Sequence, residues 1–227
     1  MKIGIIGSGN MGRAIGVRLS YAGHKVAFGS RRMAQAVDAA NRASSNALAT
    51  GLDEAARFGD VLIWTPKETD PGKVLEDPAR IAGKVIVDVN NREYDDVRDG
   101  VWFAESLTER LQGNLPENDI VKAFNTLPME VFDVSQTDLE CASASTFLAG
   151  GSNNARMVVG KLAMSLGFTP VDLGGTGAAT RAAEALGDAI RMLLIDGGYD
   201  ASTHLKVSAL PSVSLNLIGS RQVSQYG

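Results

Sequence analysis

Three short stretches hold the residue types that could do chemistry. The first is Gly7-Ser8-Gly9-Asn10-Met11-Gly12, which follows the apolar run Lys2–Ile6. Gly7 permits a tight turn, Gly9 lets the backbone approach a ligand without a Cβ, and Gly12 allows close helix–strand packing. Residues 10–22 follow, with Met11, Ile15 and Leu19 on one helical face. A helix starting there offers free N–H groups and a positive dipole end, which suits phosphate oxygens. The other reading is a glycine-rich turn between packed elements. The strand before, the helix after and a second strand at βαβ distance favour a dinucleotide pyrophosphate.

The second stretch is Gly29-Ser30-Arg31-Arg32, after the strand-like run 25–28. A unit that binds NAD places Asp or Glu there, bonded to the ribose 2′-hydroxyl. No Asp or Glu precedes Asp38, whereas Lys2, Arg13, Arg18, Lys25, Arg31 and Arg32 do. Ser30 and two guanidinium forks suit the 2′-phosphate of NADP(H). The other reading is a solvated basic turn. Cations at a helix start are locally unfavourable, which favours the functional one. Arg32 either joins the phosphate or stacks on the adenine.

The third set closes later strand-like runs: Thr65-Pro66, Asn90-Asn91 and Asn125-Thr126. Ligands of doubly wound sheets lie at such strand ends. Thr65 and Pro66 are placed along the cofactor ribose, and Asn125 with Thr126 at the nicotinamide carboxamide. Each Asn has an equal claim as a turn residue. The only histidines are His24, read as structural, and His204. Cys141 is read as a small packed residue. No zinc or iron spacing occurs, so no metal is expected, and no catalytic residue is assigned. A hydride moving between two bound cofactors needs no acid–base pair.

The elements that must position these residues alternate. Strand-length runs are read at 2–6, 25–28, 61–64, 85–89, 120–124, 146–149 and 169–173, with helices at 10–22, 33–43, 53–57, 107–111, 153–166 and 178–195. A loop at 66–72 leads to a possible short helix ending at Asp77. This order predicts an α/β, Rossmann-type doubly wound, mostly parallel sheet with a small helical C-terminal part. A boundary after Leu173 divides a nucleotide-binding domain, 1–173, from a helical segment, 174–227, on the acceptor side or at a dimer contact. Residues 197–227 follow no assignable pattern.

The 227 residues are 44% hydrophobic and 21% charged, with net charge −4, as in ordinary soluble globular chains. The pI near 5.3 gives nucleic-acid binding little support. A single cysteine excludes an internal disulfide and fits a reducing compartment. No run reaches membrane-spanning length, and the first strand starts too early for a signal peptide, so a cytoplasmic protein without membrane contact is expected.

Taken together, residues 1–12, the turn Gly29-Ser30-Arg31-Arg32 and Val121-Lys122-Ala123-Phe124-Asn125-Thr126 resemble the coenzyme F420-dependent NADP oxidoreductases over residues 1 to about 195. The resemblance implies a Rossmann fold, a homodimer, and direct hydride transfer between NADPH and a deazaflavin, coenzyme F420, or a flavin-like acceptor. It places Ser8, Asn10 and Met11 at the pyrophosphate, Ser30 and Arg31 at the 2′-phosphate, and Thr65, Pro66, Ala123 and Asn125 around the nicotinamide. Thr180-Arg181 and Glu184 keep the family pattern, whereas Gly174-Gly175-Thr176-Gly177 and Asp88-Val89-Asn90-Asn91 depart from it on the acceptor side. The run Gly9-Asn10-Met11-Gly12 is also similar to pyrroline-5-carboxylate reductase, which implies an imine or small-carbonyl acceptor. A ferric reductase with a bound flavin and a non-catalytic NADP(H) sensor complete the alternatives.

Overall fold

The computed structural model of the chain describes residues 1–98 and 104–208. Six strands form one sheet: β1 (Lys2–Ile6), β2 (Lys25–Gly29), β3 (Leu48–Thr50), β4 (Val61–Trp64), β5 (Val85–Asp88) and β6 (Asp119–Lys122). Their spatial order is β3-β2-β1-β4-β5-β6, and every pairing is parallel. The winding direction therefore reverses between β1 and β4, which opens a crevice at the carboxyl ends of those strands. The helices are α1 (Asn10–Tyr21), α2 (Met33–Arg42), α3 (Leu52–Phe58), α4 (Tyr94–Arg98), α5 (Leu107–Asn114), α6 (Gln136–Ala142), α7 (Asn153–Ser165) and α8 (Gly177–Ile195). No described helix is long and apolar enough to cross a membrane.

Strand alternation gives the sheet two apolar faces, so both must be covered. Ile3, Ile5, Val26, Phe28, Val61, Ile63, Val87 and Val121 share one buried cluster with Ile15 and Leu19 of α1 and Ala36 and Ala39 of α2. Ile6, Ala27, Leu62, Trp64, Ile86 and Ile120 share the other with Ala55 of α3 and Leu111 of α5. Each large side chain buried in this way contributes about 1.5–3 kcal/mol. Helix α3 approaches so closely that a Cβ on Gly4 would lie 2.2 Å from the Ala55 carbonyl oxygen.

The runs read at 146–149 and 169–173 do not extend this sheet. They form a separate parallel pair, β7 (Ser145–Leu148) and β8 (Thr169–Asp172). One antiparallel bridge, between Lys122 and Ala149, joins it to β6. Gly150 and Gly151 then turn the chain away with φ of 86° and 57°. Behind the bridge, Phe124, Phe132 and Phe168 meet edge to face, with centroids 5.5–6.2 Å apart. Arg18 of α1 reaches across to donate to the carbonyls of Val134 and Leu166 at 2.6 and 3.2 Å. After α8 the chain returns: Ser145 N donates to Leu205 O at 2.8 Å, and Val207 N donates to Ser145 Oγ at 3.1 Å.

Sequence reading passed over β3, α4 and α6. β3 has three residues and gains its order from pairing with β2. Helix α6 is marked by its cap, where Ser135 Oγ accepts from Asp138 N at 3.1 Å. Its buried position is Leu139; Cys141 is exposed on the same helix, so it is not the packed residue expected. His24 bonds Ser165 Oγ at 3.0 Å, tying the α1–β2 turn to α7. Of the C-terminal segment expected at 174–227, residues 209–227 lie outside the described part.

Candidate functional site

The crevice is built on β1 and its loop, and the three loop glycines have different reasons to be glycine. Gly7 has φ of 98°, and a Cβ there would sit 2.5 Å from Thr65 Oγ1. A Cβ on Gly12 would fall 2.0 Å from the Gly7 carbonyl oxygen. The fold itself requires both. Gly9 has an ordinary φ of −71° and open space on every side of its missing Cβ. No described neighbour demands a glycine there. Gly9 is the N-cap of α1, with no side-chain cap and no acid in the first turn. No described side chain caps the first amides of α1. Ser8 points inward, its Oγ donating to the Gly29 carbonyl at 2.9 Å.

Ser30 ends β2 and organises the next turn. Its Oγ accepts from Arg32 N at 3.1 Å and donates to Gln35 Oε1 at 3.3 Å. Arg32 is the N-cap of α2, and that helix also has no acid in its first turn. Arg31 and Arg32 are exposed, and neither forms an ion pair with a described residue. Arg13 and Arg42, by contrast, both bind Asp38, at 3.2 and 3.1 Å. Gly7–Gly9, Ser30–Arg32 and Thr65–Pro66 line one cleft of about 710 Å³.

The opposite wall comes from the β4–β5 connection and was not foreseen. It presents Glu68, Lys73 and Val74 to the same cleft. The absence of acids near the start of the chain thus does not leave the cleft free of carboxylates. The Glu68 carboxyl is held below its usual range, first by the Asp70 amide and then by Lys73.

At the other end, Thr65 and Pro66 line the cleft, but the residues behind them are occupied. Thr65 Oγ1 donates to the carbonyl oxygens of Ile6 and Gly7 at 2.9 and 2.8 Å, bracing the loop. Asn90 is buried, and its Nδ2 donates to Trp64 O, Pro66 O and Asp88 Oδ1. Ala123 is fully buried. Asn125 turns toward α8, with Nδ2 donating to Asn91 Oδ1 and to Ala183 O at 2.9 and 2.8 Å. Its Oδ1 has no hydrogen-bond partner among the described residues. Phe124, between them, is held at φ of 61°, a left-handed conformation costly for an aromatic residue. Asn10 and Met11 lie on the first turn of α1, outside the cleft lining.

Sequence reading also missed a buried charge cluster under this end. Lys122, with 0% side-chain exposure, lies 2.9 Å from Asp88 and 2.8 Å from Glu184. It also donates to Asn90 O at 2.6 Å. Burial works against its charge, but Asp88 and Glu184 outweigh that and raise its pKa. Thr108 Oγ1 donates to Asp88 at 2.8 Å, and Leu107 N to Glu184 at 2.8 Å. Arg92 lies 3.0 Å from Glu184 and 3.4 Å from Asp188. Burial raises the Asp188 carboxyl despite Arg92 and Arg191. Together these groups clamp α8 to the ends of β5 and β6. The available signal was a lysine closing an apolar strand, a position rarely filled unless the charge is paired.

Residues 2–92 match the family described as coenzyme F420-dependent NADP oxidoreductase. Metalloreductase STEAP3 of Rattus norvegicus is 28% identical over 185 residues, covering 82% of this chain and 36% of that protein. The chain spans about a third of the length of the curated relatives it matches. Among solved structures, one from Arthrobacter sp. fb24, assigned as an F420-dependent NADP reductase, superposes with a TM-score of 0.74 at 25% identity, covering 92% of this chain and 100% of that one. A hypothetical protein of Sinorhizobium meliloti is 30% identical with a TM-score of 0.61, covering 79% of this chain and 87% of the other.

Proposed function

We propose, for a chain that belongs to the coenzyme F420-dependent NADP oxidoreductase family, that it takes a hydride from NADPH and delivers it to a deazaflavin or flavin-like acceptor. The observation that carries this reading is one cleft joining a glycine loop at an uncapped helix start to two arginines that form no ion pair with a described residue.

In this reading Gly7, Ser8 and Gly9, with the amides of Asn10, Met11 and Gly12, would hold the pyrophosphate. The open space at Gly9 gives it room for close backbone approach. Ser30, Arg31 and Arg32 hold the 2′-phosphate, with no Asp or Glu closing β2 to repel it. Thr65 and Pro66 border the nicotinamide. Asn90 fixes the Pro66 carbonyl from behind; Ala123 and Asn125 lie outside the cleft lining, where Asn125 ties the chain after β6 to α8. The bound nicotinamide supplies the hydride; one hydride from NADPH and one proton from solvent reduce a deazaflavin and leave NADP⁺. No side chain in this account removes a proton, in keeping with a cleft that lacks histidine.

The metalloreductase relatives favour a second reading of the acceptor. A metal ion accepts single electrons, whereas a hydride carries two. Hydride would then pass to a flavin able to split the pair, and the metal would lie beyond it.

Calorimetric titration with NADPH and NADH tests the cofactor assignment. Native protein is expected to prefer NADPH, and Arg31→Ala to weaken NADPH about tenfold or more while leaving NADH unchanged, since a hydrogen bond to a charged group contributes about 1.5–3 kcal/mol. Equal affinities for the two in native protein refute it. Loss of deazaflavin absorbance in the presence of NADPH tests the acceptor; reduction of free flavin instead supports the second reading.

A further inference from the structure

The cleft opens sideways into a second hollow of about 410 Å³. The two spaces share Ser30, Arg31, Leu52, Lys73 and Val74. Lys73 ends the short 3-10 turn Pro71–Lys73, on the wall formed by the β4–β5 connection. Its ammonium lies 3.5 Å from Glu68 Oε2 and 3.8 Å from Asp70 Oδ2. Glu68 is fixed in place, because its Oε1 accepts from Asp70 N at 2.9 Å. Asp70 is fixed in turn, its Oδ1 accepting from Gly72 N at 3.0 Å. The hydrogen bond from the Asp70 amide holds the Glu68 carboxyl below its usual range, which already lies well under neutral pH. This carboxylate lines the same cleft as Ser30 and Arg31, which would receive a second anion there. Left bare, it would oppose the very phosphate that the arginines attract.

A lysine ammonium carries three donors on a flexible stem. One donor on Glu68 leaves others for a second oxygen anion. We propose that Lys73 is a specificity-determining residue of this site, bridging Glu68 and the phosphate on the adenosine ribose of NADP(H). The inference rests on the reading that NADP(H) occupies this cleft. Lys73 acts twice: it cancels the Glu68 charge and adds a charge-assisted bond to the phosphate. At 66% exposure its contribution is screened by salt, so discrimination weakens as ionic strength rises.

The test is calorimetric titration of the full chain with NADPH, NADH, adenosine 2′,5′-bisphosphate and 5′-AMP, at low and high salt. Lys73→Ala is expected to weaken NADPH and the bisphosphate about tenfold and leave NADH and 5′-AMP unchanged. Adding Glu68→Gln to Lys73→Ala restores part of that loss by removing the bare carboxylate. Unchanged NADPH binding in Lys73→Ala overturns the proposal. So does an equal loss for NADPH and NADH, which would place Lys73 on the shared part of the cofactor. No recovery in the double variant overturns the charge-cancelling role. The two levels separate cleanly: native protein with no preference for NADPH refutes the site itself. A preference lost in Arg31→Ala but kept in Lys73→Ala refutes the Lys73 assignment alone.

Discussion

Replacing Lys122 with methionine removes the only cation within 3 Å of both Asp88 and Glu184 among the described residues. Methionine matches the length of the stem and leaves no large void, so the change isolates the charge. Breaking a buried pair by deleting one partner costs about 3–5 kcal/mol, because the remaining charge is stranded. The stranded carboxylates keep other donors here. Asp88 retains Thr108 Oγ1 and the backbone and side-chain nitrogens of Asn90, and Glu184 retains Arg92 and Leu107 N. The low end, about 3 kcal/mol, therefore applies. At about 2–4 °C per kcal/mol for a chain of this size, the melting temperature falls by about 6–12 °C. Adding Glu184→Gln removes one stranded charge and recovers part of the loss, giving a coupling that a double-mutant cycle reads directly. The pH dependence has a defined sign. The folded-state pKa of Lys122 is raised above the ordinary 10.5. Its stabilisation is complete below that value and disappears as pH climbs through the raised one. Native protein thus loses, above about pH 10.5, a contribution that Lys122→Met lacks at every pH. Thermal melts of the native, single and double variants between pH 7 and 11 supply the data. A single variant that melts within about 2 °C of native, or a double variant no more stable than the single, refutes this account of the cluster.

Two further outcomes separate folding from binding. Gly12→Ala is expected to fail or melt far below native, since its Cβ would fall 2.0 Å from a backbone oxygen. Gly9→Ala is expected to lose only about 1 kcal/mol or less as an N-cap change while NADPH affinity falls severely; melting and calorimetry on the same sample distinguish them. Asp188→Asn probes the other buried acid, whose carboxyl burial pushes up. A raised carboxyl pKa makes the native state lose stability as pH rises from about 3.8 through the raised value, so the variant gains on native as pH climbs above about 3.8. Parallel melting profiles across that rise contradict it.

Local chemistry in this chain was legible where one short segment holds the whole cause. Ile3 and Ile5 alternate with Gly4 and Ile6, and the sheet faces follow from that period. Gly7 and Gly12 could be read because their constraints come from neighbours a few residues away, except that Thr65 also presses on Gly7. What escaped was assembled across distance. Lys122 finds Glu184 on α8, and Asn125 spends its amide on Ala183, contacts that no periodicity encodes. The pair β7–β8 has ordinary strand composition; its separation from the main sheet depends on Gly150 and Gly151, whose positive φ steers the chain aside. Glu68 and Lys73 belong to no motif of their own, and they gain meaning only by lining one cleft with Ser30 and Arg31, which are distant in sequence.

The returning segment around Leu205 has a practical meaning for anyone who shortens this protein. It seals the outer side of β7 by taking the Ser145 amide and the Ser145 hydroxyl. A version cut just after Ile195 would present an unsatisfied strand border to solvent, and such borders recruit one another. Self-association of that version would therefore report the lost seam rather than any natural oligomer.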